Sequence, residues 1–240
     1  MQIDEIFLSL QGETEFVGIP FLFVRFSGCN LRCSYCDTPA AFTISPTCHI
    51  HFHGQESFLS NPLSIEQLTT LLSPYQGYWL SFTGGEPLLQ REALETCLTH
   101  LKGFRFWMET NGTLPEALSP IIFSHIDVWS MDLKLPSAIG KNLWETQERF
   151  FSRIAETGKT IILKVILTPT TTLEEMEEVW KHFLLWREKT RSLSLTFQPM
   201  TSEKKVIQSE SLRWAYEKTL SWPDGKVHLI PQIHPILQIP

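Results

Sequence analysis

The stretch Arg25-Phe26-Ser27-Gly28-Cys29-Asn30-Leu31-Arg32-Cys33-Ser34-Tyr35-Cys36-Asp37-Thr38 decides how the rest of the chain is read. It begins inside an apolar run of β-type residues, Phe21–Ser27, and opens onto Cys29, Cys33 and Cys36. Thiols this close can hold one metal centre, and no fourth cysteine lies at short spacing. An iron–sulfur cluster normally takes four Cys ligands. With three, one iron is free to bind something else, as a catalytic cluster requires and an electron-transfer cluster does not. A structural zinc site wants four ligands, and Cys48 with His49, His51 and His53 can in principle complete one. Disulfides fit less well, because the five cysteines are an odd number and neither a signal peptide nor a membrane-length apolar span is present. That places the chain in the reducing cytoplasm. Cys97, in the helical pattern Leu94, Cys97, Leu98 and Leu101, reads as a small core residue.

Outward from this stretch, β-type runs alternate with helical patterns, the signature of βα units and a mainly parallel sheet. Strands are expected at Phe21–Ser27, Tyr78–Thr83, Phe104–Glu109, Asp127–Lys134, Thr160–Thr168, Leu193–Gln198 and Lys226–Ile230. Helices are expected at Ser64–Leu72, Arg91–Leu101, Lys141–Thr157, Thr172–Lys189 and Ser209–Leu220. The fourth helix has Thr172 as N-cap and an apolar stripe of Leu173, Met176, Trp180, Phe183 and Leu184. The segment Pro39–Pro62, rich in Pro, Ser, His and Gly, reads as a loop or small insertion (39–62) in a single domain spanning 1–240. At 240 residues, 42% hydrophobic and 19% charged, the chain has the size and composition of one globular α/β domain. Its net charge of −6 argues against broad nucleic-acid binding, which needs a basic surface.

In parallel βα architectures the active site lies at the C-terminal ends of the strands. Here those ends carry polar clusters: Gly28-Cys29, Thr83-Gly84-Gly85-Glu86-Pro87, Glu109-Thr110-Asn111-Gly112, Asp132-Leu133-Lys134 and Gln198-Pro199-Met200. Gly84 and Gly85 let backbone approach a ligand closely, and Glu86 can accept from an ammonium group. By alternation Arg25 shares a face with Phe21 and Phe23. An arginine there needs an anion, either a substrate carboxylate or an internal partner such as Glu13 or Asp37. Leu10-Gln11-Gly12-Glu13 offers an amide and a carboxylate suited to the edge of a heterocycle.

The Cys-x3-Cys-x2-Cys run with Tyr35 before Cys36, followed by Gly84-Gly85-Glu86-Pro87, resembles the radical S-adenosylmethionine (SAM) enzymes. Within them the chain is similar to the 7-carboxy-7-deazaguanine synthase family. Leu10–Glu13, Arg25–Leu31, Cys36–Thr38, Thr83–Pro87, Gln198–Met200 and the ending Gln232-x-His234-x5-Pro240 carry that likeness. The resemblance implies a modified, incomplete (β/α) barrel of the radical SAM type, as a homodimer. It implies a 4Fe–4S cluster on Cys29, Cys33 and Cys36, with SAM held by Tyr35, Cys36, Asp37, Gly85 and Glu86. Asp132, Leu133 and Lys134, and Gln198, Pro199, Met200 and Thr201, would complete the SAM pocket. Asp132-Leu133-Lys134 departs from the Ser-Pro-Lys of many members. Thr38 matches a Mg2+ position, where a hydroxyl suits a hard cation.

Substrate contacts implied are Leu10, Gln11, Gly12, Glu13, Arg25, Thr83, His234 and the carboxylate of Pro240. The implied reaction converts 6-carboxy-5,6,7,8-tetrahydropterin to 7-carboxy-7-deazaguanine with loss of ammonia, in queuosine-type biosynthesis. The implied electron donor is flavodoxin- or ferredoxin-like, and neither nucleic acid nor membrane is a partner. A glycyl-radical activating enzyme shares the cysteine spacing and an Asp-x-Lys run, but has no need of Gln11, Arg25 or Pro240. A zinc-binding interaction module is the non-enzymatic alternative, and metal analysis separates it.

Overall fold

The computed structural model describes residues 1–202 and 205–239. The N-terminal strand β1 (Ile3–Leu10) runs antiparallel to β2 (Pro20–Phe26). In β2, Phe21 and Phe23 face one side and Leu22, Val24 and Phe26 the other, and all five are buried. A strand apolar on both faces has to be covered on both, the condition met by a parallel sheet wrapped in helices. A hairpin follows, β3 (Thr47–Phe52) and β4 (Gln55–Ser60). Then come β5 (Trp79–Gly84), β6 (Arg105–Thr110), β7 (Ile126–Asp132), β8 (Thr160–Leu167) and β9 (Leu193–Pro199). A short ribbon, β10 (Thr201–Ser202) with β11 (Lys205–Val206), precedes β12 (Val227–Leu229).

Among the described residues ten strands form one sheet in the order β12-β9-β8-β7-β6-β5-β2-β1-β3-β4. From β2 to β12 every neighbouring pair is parallel. The edges β12 and β4 do not meet, so the chain forms the incomplete (β/α) barrel expected of it.

The outer face is covered by α1 (Ile65–Leu72), α2 (Arg91–His100), α3 (Pro120–His125), α4 (Pro136–Ile139), α5 (Trp144–Ala155), α6 (Leu173–Lys189) and α7 (Glu210–Leu220), and α8 (His234–Leu237) ends the fold. Capping boxes start α1 (Ser64 with Gln67) and α6 (Thr172 with Glu175), each satisfying two N–H groups at the helix entrance. The buried stripe of α6 is Met176, Val179, Phe183 and Trp186. Leu184, expected inside, is 39% exposed, because the stripe drifts around the helix as 3.6 residues per turn requires.

Inside the barrel, aromatic rings close the floor. Phe16, from the turn Thr14–Phe16, packs edge-on against Trp107 at 4.9 Å and Trp79 at 5.7 Å, and Phe21 stacks on Trp79. The lumen is therefore a filled core below and a cavity above. Toward the strand ends the inward residues turn polar: Arg25, Thr83, Glu109, Asp132, Lys164 and Gln198.

Within 39–62, the turn Pro39–Phe42 leads into the β3–β4 hairpin, which extends the sheet beside β1. Alternation sends Cys48 and Ile50 into the core between sheet and helices, both buried, and leaves His49 and His51 half-buried on the other face. Cys48 is thereby separated from the histidines that would share a zinc ion with it. No helix among the described residues is long and apolar enough to cross a membrane.

Trp107→Ala is expected to lower unfolding free energy by about 3–5 kcal/mol, the cost of emptying a fully buried aromatic site. Phe58→Ala, on the edge strand and 63% exposed, should change it by no more than about 0.5 kcal/mol. Urea unfolding followed by tryptophan fluorescence and circular dichroism measures both.

Candidate active site

The cysteine loop leaves β2 through Gly28, whose φ of +91° favours glycine. Its backbone is fastened on several sides. Gly28 N donates to Ala41 O, and Gly28 O accepts from Glu86 N, both at 2.8 Å. Gly85 N donates to Phe26 O at 3.0 Å. A Cβ on Gly85 would stand 1.9 Å from Gly28 O, so the two loops fit only without it. The glycines are thus explained first by the approach of two backbones, and only second by room for a ligand. Asn30 joins the loop after β6, through Thr113 Oγ1 (2.8 Å) and Asn111 Nδ2 (2.9 Å). Ser34 N donates to Ala138 O at the end of α4.

Cys29, Cys33 and Cys36 are free thiols on the wall of one cavity of about 530 Å³. Among the described residues, no three His, Cys, Asp or Glu side chains converge on a single ion. Three thiols from one loop on one wall are the soft donor set that an iron–sulfur cluster takes. Burial pushes the Cys33 and Cys36 thiols up, so they hold their protons until a metal replaces them.

The rest of the wall is a row of paired charges. Arg25 Nε donates to Glu5 Oε2 at 3.1 Å, and its Nη1 donates to Thr38 Oγ1 at 3.3 Å. Glu5 faces Arg25 across the β1–β2 ladder, so the internal partner is neither Glu13 nor Asp37. Thr38 Oγ1 in turn donates to Asp37 Oδ1 at 3.0 Å. Crowding pushes the Asp37 carboxyl up, but the Gln232 hydrogen bond and the Arg25 charge outweigh that and hold it below the usual range. Lys134 Nζ donates to Asp132 Oδ2 at 2.7 Å and to the Tyr35 hydroxyl at 3.2 Å. Burial opposes its charge, yet Asp132 beside it keeps the ammonium protonated.

Glu13 Oε1 accepts from Gln198 and Gln232, each at 2.9 Å, and Oε2 accepts from Lys164. Burial pushes the Glu13 carboxyl up, but Lys164 overrides it and holds it low. Glu109 accepts from Thr83 Oγ1 (2.7 Å), Ser81 Oγ (3.1 Å) and Gln11 Nε2 (3.3 Å). Burial raises it, against the pull of Lys164 and with a further push from Glu13.

Most of the residues singled out from sequence meet at this cavity. Leu10, Gln11, Gly12, Glu13, Arg25, Thr83 and His234 line it. So do Tyr35, Asp37, Thr38, Gly85 and the three cysteines, and Asp132, Lys134, Met200 and Thr201. Four stand behind it. Glu86 is fully buried: Oε1 accepts from Thr110 Oγ1 (2.9 Å) and Leu88 N (3.2 Å), and Oε2 accepts from Asn111 N (2.8 Å). Leu133 belongs to the outer core, Gln198 reaches Glu13 from a buried position, and Pro199 ends β9. Pro240 lies outside the described residues. Sequence reading missed Lys164, although a lysine within the apolar run Thr160–Leu167 is the same signal that drew attention to Arg25. It placed Glu109 among the polar strand ends but gave it no role in the site.

A cysteine-bearing loop at the mouth of an open parallel barrel defines a class. Residues 23–183 match the model of the radical SAM superfamily, and the chain belongs to it. It is 32% identical to 7-carboxy-7-deazaguanine synthase of Geobacter sulfurreducens, over 97% of this chain and 95% of that one. It is 34% identical to the enzyme of the same name from Methanopyrus kandleri, over 99% of this chain and 93% of that one. Among solved structures it is similar in fold to QueE from Escherichia coli, with TM-score 0.56, 21% identity and coverage of 96% and 92%. It is also similar in fold to SAM-bound SuiB from Streptococcus suis, with TM-score 0.54, 15% identity and coverage of 88% and 46%. Within the superfamily the chain belongs to the 7-carboxy-7-deazaguanine synthase family.

Burial raises the Glu86 carboxyl to about 7, even though Asn111 N and Thr110 Oγ1 favour its ionised form. The folded protein therefore binds a proton there that the unfolded chain releases near pH 4.5. Its contribution to stability is complete below pH 4.5 and is lost as the pH rises to about 7, by up to roughly 3 kcal/mol. Unfolding titrations across that window should show wild type losing stability with rising pH relative to Glu86→Gln. Parallel curves for the two proteins would reject this account.

Proposed function

We infer that the chain converts 6-carboxy-5,6,7,8-tetrahydropterin to 7-carboxy-7-deazaguanine with loss of ammonia, a radical SAM lyase reaction of queuosine-type biosynthesis. The observation that carries this reading is one cavity walled by three free cysteines together with Gln11, Glu13, Arg25 and Thr83. Cys29, Cys33 and Cys36 would hold a 4Fe–4S cluster, with SAM in the same cavity. When bound, these groups supply the carbon radical that starts the reaction.

The protein's part is to bind, orient and shield. Gly85 brings backbone to the methionine end of SAM, while Tyr35, Asp37, Asp132, Lys134, Met200 and Thr201 form the surrounding wall. Glu86, Leu133, Gln198 and Pro199 support that wall from behind. Arg25 grips the pterin carboxylate, with its Nε already tied to Glu5 so that the guanidinium cannot swing away. Leu10, Gln11, Gly12, Glu13, Thr83 and His234 hold the ring, and the aromatic floor under them excludes water from below. Thr38 Oγ1, beside Asp37 and Arg25, would offer oxygen to a Mg2+ ion, a hard cation suited to hydroxyl and carboxylate donors. The enzyme works as a cytoplasmic homodimer fed by a flavodoxin- or ferredoxin-like reductant. Its unpaired cysteines suit a reducing compartment.

Anaerobically reconstituted protein, given reductant, SAM, Mg2+ and the tetrahydropterin, should form the deazaguanine acid. Cys33→Ala should lose iron, sulfide and SAM cleavage, whereas Cys48→Ala keeps all three. Zinc without iron, or SAM cleavage without this product, sinks the reading. Arg25→Lys should raise KM for the pterin about 10- to 100-fold, as expected for a lost charge-assisted pair, with little change in KM for SAM.

A further inference from the structure

Lys164, like Glu109, is a charged group on the cavity wall to which the reading above gives no task. It is 6% exposed, yet it faces the cavity. Its place is fixed by the sheet: it stands opposite Asp132 in the β7–β8 ladder, and its carbonyl accepts from Leu133 N. The ammonium donates to Glu13 Oε2 and lies 3.1 Å from Asp132 Oδ1 in an ion pair. An ammonium has three N–H groups. Glu13 takes one, and Asp132 Oδ1, though 3.1 Å away, receives no hydrogen bond, so the ammonium keeps N–H capacity with no partner among the described residues.

The neighbouring carboxylate has a matching remainder. The two oxygens of Glu13 offer about four acceptor sites. Gln198, Gln232 and Lys164 take three of them. The pair thus presents one unused acceptor beside one unused donor. The pyrimidinone edge of a pterin presents the opposite sequence, a ring N–H beside a carbonyl oxygen. A buried donor left unpaired is costly, so a ring lacking that carbonyl would be rejected.

We propose that Lys164 is a specificity-determining residue that donates to the ring carbonyl of the pterin, beside Glu13, and that Asp132 positions it by bridging Lys164 and Lys134. Asp132 suits this task because Oδ2 accepts from Lys134 at 2.7 Å while Oδ1 faces Lys164. The proposal rests on the pterin reading above and adds the group that tells a ring carbonyl from its replacement.

The test uses reconstituted holoenzyme and two ligands that do not turn over. One is 6-carboxypterin, and the other is its 2,4-diaminopteridine counterpart, in which an amino group replaces the carbonyl and the neighbouring ring nitrogen loses its N–H. Wild type should prefer the oxo ligand by about 100-fold in Kd or more, since sites built around a buried hydrogen bond reject analogues lacking it. Lys164→Met should narrow that preference at least about tenfold, the remainder coming from Glu13, and leave the Kd for SAM unchanged. Should that variant not fold, Lys164→Met with Glu13→Gln removes both charges of the pair, and the same loss of preference is expected. Equal weakening of both ligands would mean a structural role only, and a raised Kd for SAM alone would place Lys164 on the SAM side. Either result overturns the proposal, as does a wild type with no preference. Product from the tetrahydropterin despite such a result keeps the broader reading, whereas absence of product removes that reading itself.

Discussion

The site depends on one close approach, that of Gly85 to the carbonyl of Gly28. No side chain fits between them, and the hydrogen bonds flanking the contact, Gly85 N to Phe26 O and Glu86 N to Gly28 O, bind the end of β5 to the start of the cysteine loop. Glu86 then carries the restraint onward: its carboxylate takes the Asn111 N–H and the Thr110 hydroxyl at the end of β6. Three consecutive parallel strands therefore end in one fastened unit. That unit sets where three cysteines stand relative to the barrel mouth, which a loop without regular secondary structure does not do by itself. Rigid support from the scaffold is what a catalytic constellation requires.

The charges of the wall follow from the same geometry. Alternation along β2, β6, β7 and β8 places an ionisable residue inward near each strand end, and an unpaired ion there would be very costly. The protein resolves this by crossing the sheet: Glu5 answers Arg25, and Asp132 answers both Lys134 and Lys164. Glu13 arrives from outside the barrel strands to meet Lys164. Such pairs add little net stability compared with apolar packing. They keep polar groups pre-aimed into a cavity without disordering its walls.

What could be read in the sequence was what local pattern encodes. The strands of the barrel, the N-caps of α1 and α6 and the polar strand ends are all period and punctuation, and they sit within a residue or two of their expected limits. What escaped was pairing between distant segments. Nothing near Arg25 announces Glu5, because the ladder that joins them is formed by strands that meet only in the fold. Glu86 reads as a ligand group because a carboxylate after two glycines looks available. Only the tertiary structure shows Asn111 and Thr110 enclosing it. The β3–β4 hairpin was obscured by histidines and turn residues, which hide the alternation of Cys48 and Ile50.

The arrangement around Arg25 gives a reason for a cation site at Thr38. With Nε committed to Glu5, the guanidinium meets a carboxylate through its two terminal nitrogens, and Nη1 already donates to Thr38. A substrate carboxylate docked there, as proposed, would stand against the Thr38 hydroxyl and close to Asp37, itself an anion held ionised by Gln232 and Arg25. Two carboxylates and a hydroxyl gathered against one guanidinium leave excess negative charge. A hard divalent cation bound by oxygen is the counter-charge that such a set favours. On this argument the Mg2+ proposed at Thr38 follows from the bracing of Arg25, and the cross-strand Glu5–Arg25 pair is where that requirement originates.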